Sequence, residues 1–122
     1  MINMKPLDQQ VPITEQIKAD VSPVVLVNLF EVAEADIPQL IKAWEADANW
    51  MKQQKGYIST QLHQAIAGSN VFMNYAIWDS VEDFRNAFTH SEFQAAMADY
   101  PDSAVASPHL FTRVAVPNLC TE

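Results

Sequence analysis

Three side chains with hydrogen-bonding groups interrupt two otherwise apolar runs of this sequence. Asn28 lies within Val24–Val32, and Asn74 and Trp78 lie within Val71–Trp78. Side chains alternate between faces along a strand, so Asn74 and Trp78 share one face of their run. If this face and the one that bears Asn28 lie on the same side of a sheet, two amides and an indole N–H converge there. A buried amide without a partner costs about 1–3 kcal/mol. Two interpretations follow: a pocket for an oxygen-rich ligand, or amides that satisfy loop or helix-end carbonyls.

Two further polar residues lie in predicted strands. His63 is either a general base or a residue of a wet or interfacial sheet face. Arg113 either anchors an anionic or phenolate ligand or pairs across the sheet with an acid such as Glu31. The apolar residues whose packing would shape a substrate pocket are Phe30, Trp44, Phe72, Phe84 and Phe88.

Several other chemistries lack the residues that they need. The three histidines have no metal-ligand spacing and no acid cluster beside them, so we expect no metal site. The two glycines leave no material for a phosphate-binding loop, and Cys120 has no second cysteine for an internal disulfide. The net charge of −8 disfavours nucleic acid and anionic membranes as partners. No apolar run reaches the ~20 residues of a membrane span. The acidity of the chain fits a cytoplasmic protein, which we expect.

The elements that must position these residues follow the order strand, helix, strand, strand, helix, strand. Hydrophobic periodicity predicts strands at 24–32, 57–64, 71–78 and 110–116, a helix from Asp36 to about Gln54, and a second helical stretch at 80–99 that is interrupted at 89–91. In the first helix, the apolar stripe leaves Asp47 on the outer, charged face. In the second strand, alternation places Tyr57 on the face of His63, opposite Thr60.

This order is that of a ferredoxin-like α+β fold, βαββαβ, with a four-stranded antiparallel sheet. Both helices then cover one face of the sheet and leave the other bare, although the strands are apolar on both faces. A second copy of the chain would bury the bare face, so we expect a homodimer. We assign residues 21–122 to this domain and residues 1–20 to an extended N-terminal arm, which either lies on a neighbouring subunit or frays.

Six stretches of the chain, taken together, are similar to a known protein family. They are Asn28–Phe30, Ala43–Asp47, Gly56–His63, Asn74–Ser80, Phe84–Phe88 and His90–Phe93. The sequence thereby resembles the antibiotic biosynthesis monooxygenase (ABM) family over roughly Val24 to Val116. The resemblance implies a homodimer whose sheets form a dimeric α+β barrel, with a pocket between the sheet and the helices of each subunit. It also implies that O₂ oxidises phenols or quinones without flavin, haem or metal, because the substrate anion itself passes an electron to O₂.

The resemblance also implies roles for particular residues. Members that oxidise polyketides use an asparagine in the first strand, and another asparagine four residues before a tryptophan in the third. Asn28, Asn74 and Trp78 match that pattern, and would hold the phenolate or the reduced oxygen species by hydrogen bonds that favour the anion. A tyrosine of some members falls on Phe84 here, and an arginine has no counterpart unless Arg113 replaces it.

The sequence therefore predicts a cofactor-independent monooxygenase of a phenolic, hydroquinone or quinone-type aromatic substrate, with Asn28, Asn74 and Trp78 as catalytic residues. The alternative is a non-catalytic small-molecule binder or stress-related protein on the same scaffold, because a fold does not fix a function. A haem-binding or haem-degrading protein has less support. The tryptophan and the axial histidine of that branch fall on Ala87 and Met97.

Overall fold

A computed structural model describes residues 1–122 and contains one five-stranded sheet and four α-helices. None of these helices has both the length and the apolar character that crossing a membrane requires. Two short 3₁₀ turns lie at Glu34–Asp36 and Met97–Asp99. The elements are β1 Asn3–Met4, α1 Ile13–Gln16, β2 Val24–Glu31, α2 Ile37–Met51, β3 Tyr57–Gln64, β4 Val71–Trp78, α3 Val81–Phe88, α4 Ser91–Ala96 and β5 Val105–Phe111.

The strands lie in the order β1-β5-β2-β4-β3. All neighbours are antiparallel except the two-residue β1, which runs parallel to β5. The four long strands, with helices after β2 and β4, have the predicted ferredoxin-like arrangement, and this prediction is confirmed. The short β1 makes the sheet mixed rather than purely antiparallel.

Both long helices pack on the same face of the sheet. Leu40 of α2 packs with Phe30 and Phe72, and Phe84 of α3 packs with Trp78. These sheet residues all have even numbers in β2 and β4, so they point to one side. The odd-numbered side, which we call the open face, has no helix over it. Its half-buried apolar residues include Val27, Leu29, Met73, Tyr75 and Ile77.

Helix α2 is rotated relative to the sequence prediction. Asp47, which we placed on the outer face, is only 8% exposed, whereas Ile41 is 40% exposed. Asp47 lies three residues after Trp44 and four before Met51, so helical geometry puts all three on one stripe. The placement of Asp47 was wrong because its charge outweighed its spacing in the pattern.

A register shift in β3 moves one aromatic side chain to the helix-covered face. The pairing with β4 shifts between Tyr57 and Ser59, so that Tyr57 lies opposite Trp78 and Thr60 lies opposite Ala76. The intervening Ile58 is 49% exposed. Strict alternation predicted Tyr57 on the face of His63, and that prediction was wrong because such a bulge changes side-chain parity.

The last strand lies earlier in the chain than predicted. It spans Val105–Phe111 rather than 110–116, so Arg113 lies beyond its end and is exposed. The observed strand contains Pro108, a residue that disfavours strands in a sequence pattern. Leu110 donates its N–H to Gln16 at 2.7 Å, at the outer side of β5. Pro108 has the same parity, so its missing N–H falls on that side and costs no bond to β2.

The junction around Trp78 is fixed on both sides. The Ser80 hydroxyl accepts the Asp83 N–H at 3.0 Å and caps α3. Gly56, with φ of +87°, begins the return into β3, and a Cβ on it would collide with the Asp83 side chain. The Gly56 carbonyl accepts the Asp79 N–H at 2.7 Å. These contacts bring the ends of β3 and β4 together.

The first 20 residues are bound to the rest of the chain at two places. Asn3 pairs with Val105 in the parallel β1-β5 ladder, and Ile2 is buried. Farther along, Ile13 and Ile17 pack against the core below α3. The segment predicted as an extended arm thus contains a short strand and one helical turn.

Candidate active site

The buried core below the helices is divided into two clusters. The Phe72 cluster contains Ile2, Phe30, Val32, Leu40, Ala43, Phe72, Tyr100, Ala104 and Ala106. The Trp78 cluster contains Val24, Leu26, Ala76, Trp78, Val81, Phe84 and Ala87. In the β2-β4 ladder, the pair Asn28↔Asn74 lies between Phe30↔Phe72 of the first cluster and Leu26↔Ala76 of the second. The two amides therefore mark the boundary between the clusters.

A cavity of about 80 Å³ lies over this boundary, between the sheet and the helices. Asn28, Asn74 and Trp78 all line it. Six polar residues line it: four lie on strands of the sheet, one lies on α2 and one follows α4. The rest of the wall is aliphatic, aromatic or proline. Those polar residues are Asn28, Thr60, Asn74, Asp47, Tyr57 and Tyr100.

The two asparagines differ in their hydrogen bonding. The Asn74 Oδ1 atom accepts a hydrogen bond from the Thr60 hydroxyl at 2.5 Å, a distance at the short end for O–H···O bonds. Because its oxygen is engaged, the Asn74 amide has its N–H₂ group left to donate. The Asn28 Oδ1 atom is buried and has no hydrogen-bond partner. An orphaned acceptor of this kind costs about 1–3 kcal/mol and is a site for a ligand donor.

Trp78 is held at the end of β4 by two aromatic rings. Its ring meets Tyr57 edge-on at 5.7 Å between centroids and Phe84 edge-on at 5.8 Å. The Trp78 side chain is 2% exposed. Edge-to-face contacts contribute about 0.5–1.5 kcal/mol beyond area burial, so the indole has a fixed orientation at the cavity wall.

Asp47 is the single charged side chain at the cavity. Its pKa is raised from 3.8 to about 6: burial raises the pKa most, a hydrogen bond from the Tyr100 hydroxyl lowers it, and the negative charge of Asp99 raises it. Burial, followed by the charge of Asp47, raises the pKa of Tyr100 far above the usual range of a phenol. Tyr100 therefore stays protonated, and Asp47 changes its charge close to neutral pH.

The remaining predicted substrate-binding residues separate into two groups. Phe30, Trp44, Phe84 and Phe88 line the cavity. Three others do not. Phe72 is buried in its cluster and does not form part of the cavity wall. His63 is exposed, and its Nδ1 atom lies 3.3 Å from the Met73 carbonyl oxygen. Arg113 lies in the exposed segment after β5.

The sequence prediction missed four polar residues of the cavity: Asp47, Tyr100, Thr60 and Tyr57. Helical spacing from Trp44 could have identified Asp47, and parity from Leu62 could have identified Thr60. Nothing in the local pattern signals Tyr57, because its position depends on the bulge. Tyr100 follows the last helical turn, and it stacks on Phe30 at 6.1 Å only through the tertiary fold.

The histidines are all outside the cavity. His90 caps α4 by accepting the Glu92 N–H at 3.0 Å, and His109 contacts Gln16 at 2.9 Å. No group of three or more His, Cys, Asp or Glu side chains is arranged to hold a metal ion. Because no cavity-lining residue is a histidine, the structure offers the haem alternative no axial histidine at this site.

The arrangement suits a flat aromatic molecule that carries a hydroxyl group. Aromatic walls would contact its rings, the Asn74 amide can donate to its oxygen, and Asn28 can accept from a second O–H group. The cavity contains no lysine or arginine. Any negative charge formed within it must therefore be stabilised by dipoles and proton transfer.

Comparison with known proteins gives a family and a set of similar folds. Residues 23–99 match the family described as antibiotic biosynthesis monooxygenase. The match spans β2 to the turn after α4 and so includes Asn28, Asp47, Asn74 and Trp78. No protein with a curated functional description is significantly similar in sequence to this chain.

Several solved structures resemble the chain. A protein of Shewanella loihica PV-4, provisionally described as a monooxygenase, is 34% identical, with a TM-score of 0.67 over 80% of this chain and 99% of its own. SnoaB, a cofactor-independent oxygenase of Streptomyces nogalater, has a TM-score of 0.71 at 20% identity over 80% and 99% of the two chains. The Shewanella match has the higher identity, and the SnoaB match documents the shared fold.

Proposed function

From the premise that the chain belongs to the antibiotic biosynthesis monooxygenase family, we propose that it is a cofactor-independent monooxygenase of a phenolic or hydroquinone-type aromatic substrate. In the proposed reaction, a phenol loses two hydrogen atoms and gains one oxygen atom from O₂, giving a quinone. The second oxygen atom leaves as water. The substrate anion supplies the electrons, and the protein binds it, orients it and stabilises its charge.

The observation that carries this proposal is the facing pair Asn28↔Asn74 at the wall of an aromatic cavity. The Asn74 N–H₂ group would donate to the phenolate oxygen, and Thr60 would hold the amide in that orientation. Asn28 Oδ1 would accept from a second hydroxyl of the substrate or from the hydroperoxide O–H. The Trp78 indole would donate to the reduced oxygen species. Donors placed where charge develops are worth about 10²–10³ in rate each.

The size of the cavity supports a compact substrate. Its volume of about 80 Å³ is well below the ~300–1,000 Å³ of typical pockets for drug-sized ligands. We therefore propose an aromatic substrate of one or two rings. SnoaB being a cofactor-independent oxygenase supports the reaction class and carries no information on the substrate of this chain.

The test measures oxygen uptake with phenols and hydroquinones of one, two and three fused rings, after subtraction of spontaneous oxidation. We expect turnover to be fastest with the one- and two-ring compounds. With ¹⁸O₂, one labelled atom should enter the product and the other should enter water. Asn74→Ala should lower kcat/KM by about 10²–10³, and Trp78→Phe, which keeps a ring but removes the N–H, should lower it by a similar factor.

Asn86→Ala is the matched control, because Asn86 is exposed on α3 and should keep wild-type activity. Unchanged oxygen uptake in both site variants would contradict the site. Binding of the aromatic compounds that raises the melting temperature without oxygen uptake by the wild-type protein would instead support the non-catalytic binder.

We also propose that two copies of the chain associate through the open face. The half-buried apolar residues of this face, with the partly exposed Phe111, support the proposal. A Tyr75→Glu substitution at its centre should shift the molar mass measured by light scattering from that of a dimer to that of a monomer. A wild-type monomer would contradict the proposal.

A further inference from the structure

Asp47 is a buried carboxyl group to which the reaction described above gives no role. It is 8% exposed, and it lines the cavity together with the two amides and Trp78. No lysine, arginine or histidine forms an ion pair with it. An unpaired buried carboxylate is costly, and an apolar residue would suit this stripe of α2 better.

The absence of a cation at the cavity limits the charge that it can hold. With Asp47 ionised, a bound phenolate would place a second negative charge in the same small apolar space. Two like charges that share a small space of low polarity repel each other strongly. A phenol can therefore ionise in this cavity only if the charge on Asp47 is removed at the same time. The acceptor that satisfies this condition for the phenol proton is Asp47 itself.

We propose that Asp47 is the proton shuttle of this site, which accepts the hydroxyl proton of the bound phenol and later returns it to the oxygen atom that leaves as water. This inference rests on the proposed monooxygenase function. In the first step the phenol O–H bond breaks, its proton moves to an Asp47 carboxylate oxygen, and the electron pair stays on the phenolate. The net charge of the occupied cavity is unchanged.

The later steps balance in atoms and electrons. The phenolate passes one electron to O₂, and the two radicals combine to form a C–O bond, which gives a peroxide. The ring C–H bond then breaks and its electron pair forms the new C=O bond, while the O–O bond breaks toward the distal oxygen. That oxygen takes the proton from Asp47 and the former ring proton, and leaves as water. Asp47 ends as the carboxylate from which it began.

The groups around Asp47 suit this role. Tyr100 holds the carboxylate by a hydrogen bond and stays protonated, and Asp99 adds a negative charge that favours proton uptake. Tyr57 is the one other titratable side chain at the cavity, across from α2 on β3; the strands β2, β4 and β5 contribute none. A carboxyl group that changes charge near pH 6 can both accept and donate a proton at neutral pH.

The first test is the pH dependence of kcat/KM for the wild-type protein and Asp47→Asn. The wild-type value should fall about tenfold per pH unit below pH 6, as Asp47 becomes protonated. Asp47→Asn should be about 10²–10⁴ times slower at pH 7 and should lose this acidic limb. Glu45→Gln, an exposed neighbour on the same helix, is the control and should behave like the wild type. A wild-type pH profile in Asp47→Asn would overturn the proposal.

A second variant separates proton transfer from structural support. Tyr100→Phe removes the hydrogen bond that lowers the pKa of Asp47, so the acidic limb should move to higher pH. Asp47→Glu, which keeps a carboxylate, should recover part of the activity that Asp47→Asn loses. An acidic limb that stays in place in Tyr100→Phe would overturn the assignment of that limb to Asp47.

A binding measurement tests the charge argument without turnover, with 4-nitrophenolate as the probe at pH 8 and 4-nitroanisole as its neutral counterpart. Asp47→Asn should bind the anion about tenfold more tightly than the wild type, because a like charge is gone, and should bind the neutral compound equally well. Equal anion binding by both proteins would overturn the proposal. If no phenol supports oxygen uptake by the wild-type protein, the proposed function fails. The nitrophenolate comparison then still decides whether Asp47 competes with a phenolate.

Discussion

Two neighbouring cross-strand pairs on one face of the sheet have opposite consequences for the molecule. Phe30 and Phe72 face each other and are 4% and 2% exposed, inside an apolar cluster in which Phe72 has no contact with the cavity and Phe30 forms part of its wall. Two residues farther along the ladder, Asn28 and Asn74 face each other at the wall of a cavity, and Asn28 Oδ1 has no partner. Both pairs share strands, register and covering helices, so side-chain chemistry alone separates them.

The two pairs differ because one helps to stabilise the fold and the other forms the wall of the candidate site. The Phe72 and Trp78 clusters at the two ends of the helix-covered face provide apolar burial, and they allow a polar, incompletely packed section between them. The section contains unpaired polar groups, which lower stability. Stability and function should therefore respond to substitutions in different rows of the same two strands.

The largest expected effect on stability comes from the pair Phe30↔Phe72. Phe72→Ala should lower the free energy of unfolding by about 3–5 kcal/mol, the range for truncating a buried aromatic residue. Asn28→Leu, two residues along the facing strand, should not lower it, because an unpaired acceptor is replaced by an apolar group. Guanidinium unfolding followed by circular dichroism measures both. If both variants lost the same free energy of unfolding, the two pairs would not differ in their contribution to stability.

The pH dependence of the free energy of unfolding tests how much the buried Asp47 lowers stability. The pKa of Asp47 is raised from 3.8 to about 6 in the folded protein, so the folded state holds this proton more tightly than the unfolded state. Protonated Asp47 therefore stabilises the folded protein fully below pH ~4. The free energy of unfolding should fall by up to about 3 kcal/mol as the pH rises to 6 and Asp47 loses its proton. Denaturant unfolding at pH 4 to 7 should show this slope in the wild type and lack it in Asp47→Asn. The same slope in both proteins would assign it to other groups.

A smaller effect is expected from the support of Asn74. Thr60→Val removes the hydroxyl that bonds to Asn74 Oδ1 but keeps the shape of the side chain. The amide is then free to rotate, and kcat/KM should fall by about tenfold, which corresponds to one hydrogen bond of about 1.4 kcal/mol. Thr60→Ser keeps the hydroxyl and should retain most of the activity. A loss in Thr60→Ser as large as that in Thr60→Val would point to packing instead.

The smallest effects are expected outside the cavity, at two residues that the sequence placed in it. His63→Ala and Arg113→Ala should each leave kcat/KM within about twofold, because both residues lie outside the cavity, and Arg113→Ala should leave stability within about 0.5 kcal/mol, as for other exposed positions. Steady-state kinetics and thermal unfolding of the two variants check this. A tenfold loss of activity in either would bring the open face or the C-terminal segment into the site, for example through a second subunit.

The sequence allowed good prediction where a local pattern and the tertiary requirement coincide. The boundaries of β2, β3 and β4 were predicted within one residue, because the apolar runs of β2 and β4 and the alternating pattern of β3 are long and end at turn residues. Alternation placed Asn74 and Trp78 on one face of β4 but left open whether the face of β2 that bears Asn28 lies on the same side of the sheet, and the pairing of the two strands shows that it does. The last strand was misplaced, because a proline that is tolerated at the outer side of β5 is indistinguishable in sequence from one that prevents a strand.

The order of elements, the position of each amide within its strand and the apolar character of both sheet faces were determined by the sequence itself, because they follow from hydrophobic period and side-chain parity. The tertiary structure alone decided which polar groups meet. A one-residue bulge brought Tyr57 against Trp78, the rotation of α2 carried Asp47 inward, and the end of α4 brought Tyr100 to it. These three placements depend on how elements distant in the chain pack together. No local period contains that information, so the charged centre of the site is visible only in the folded molecule.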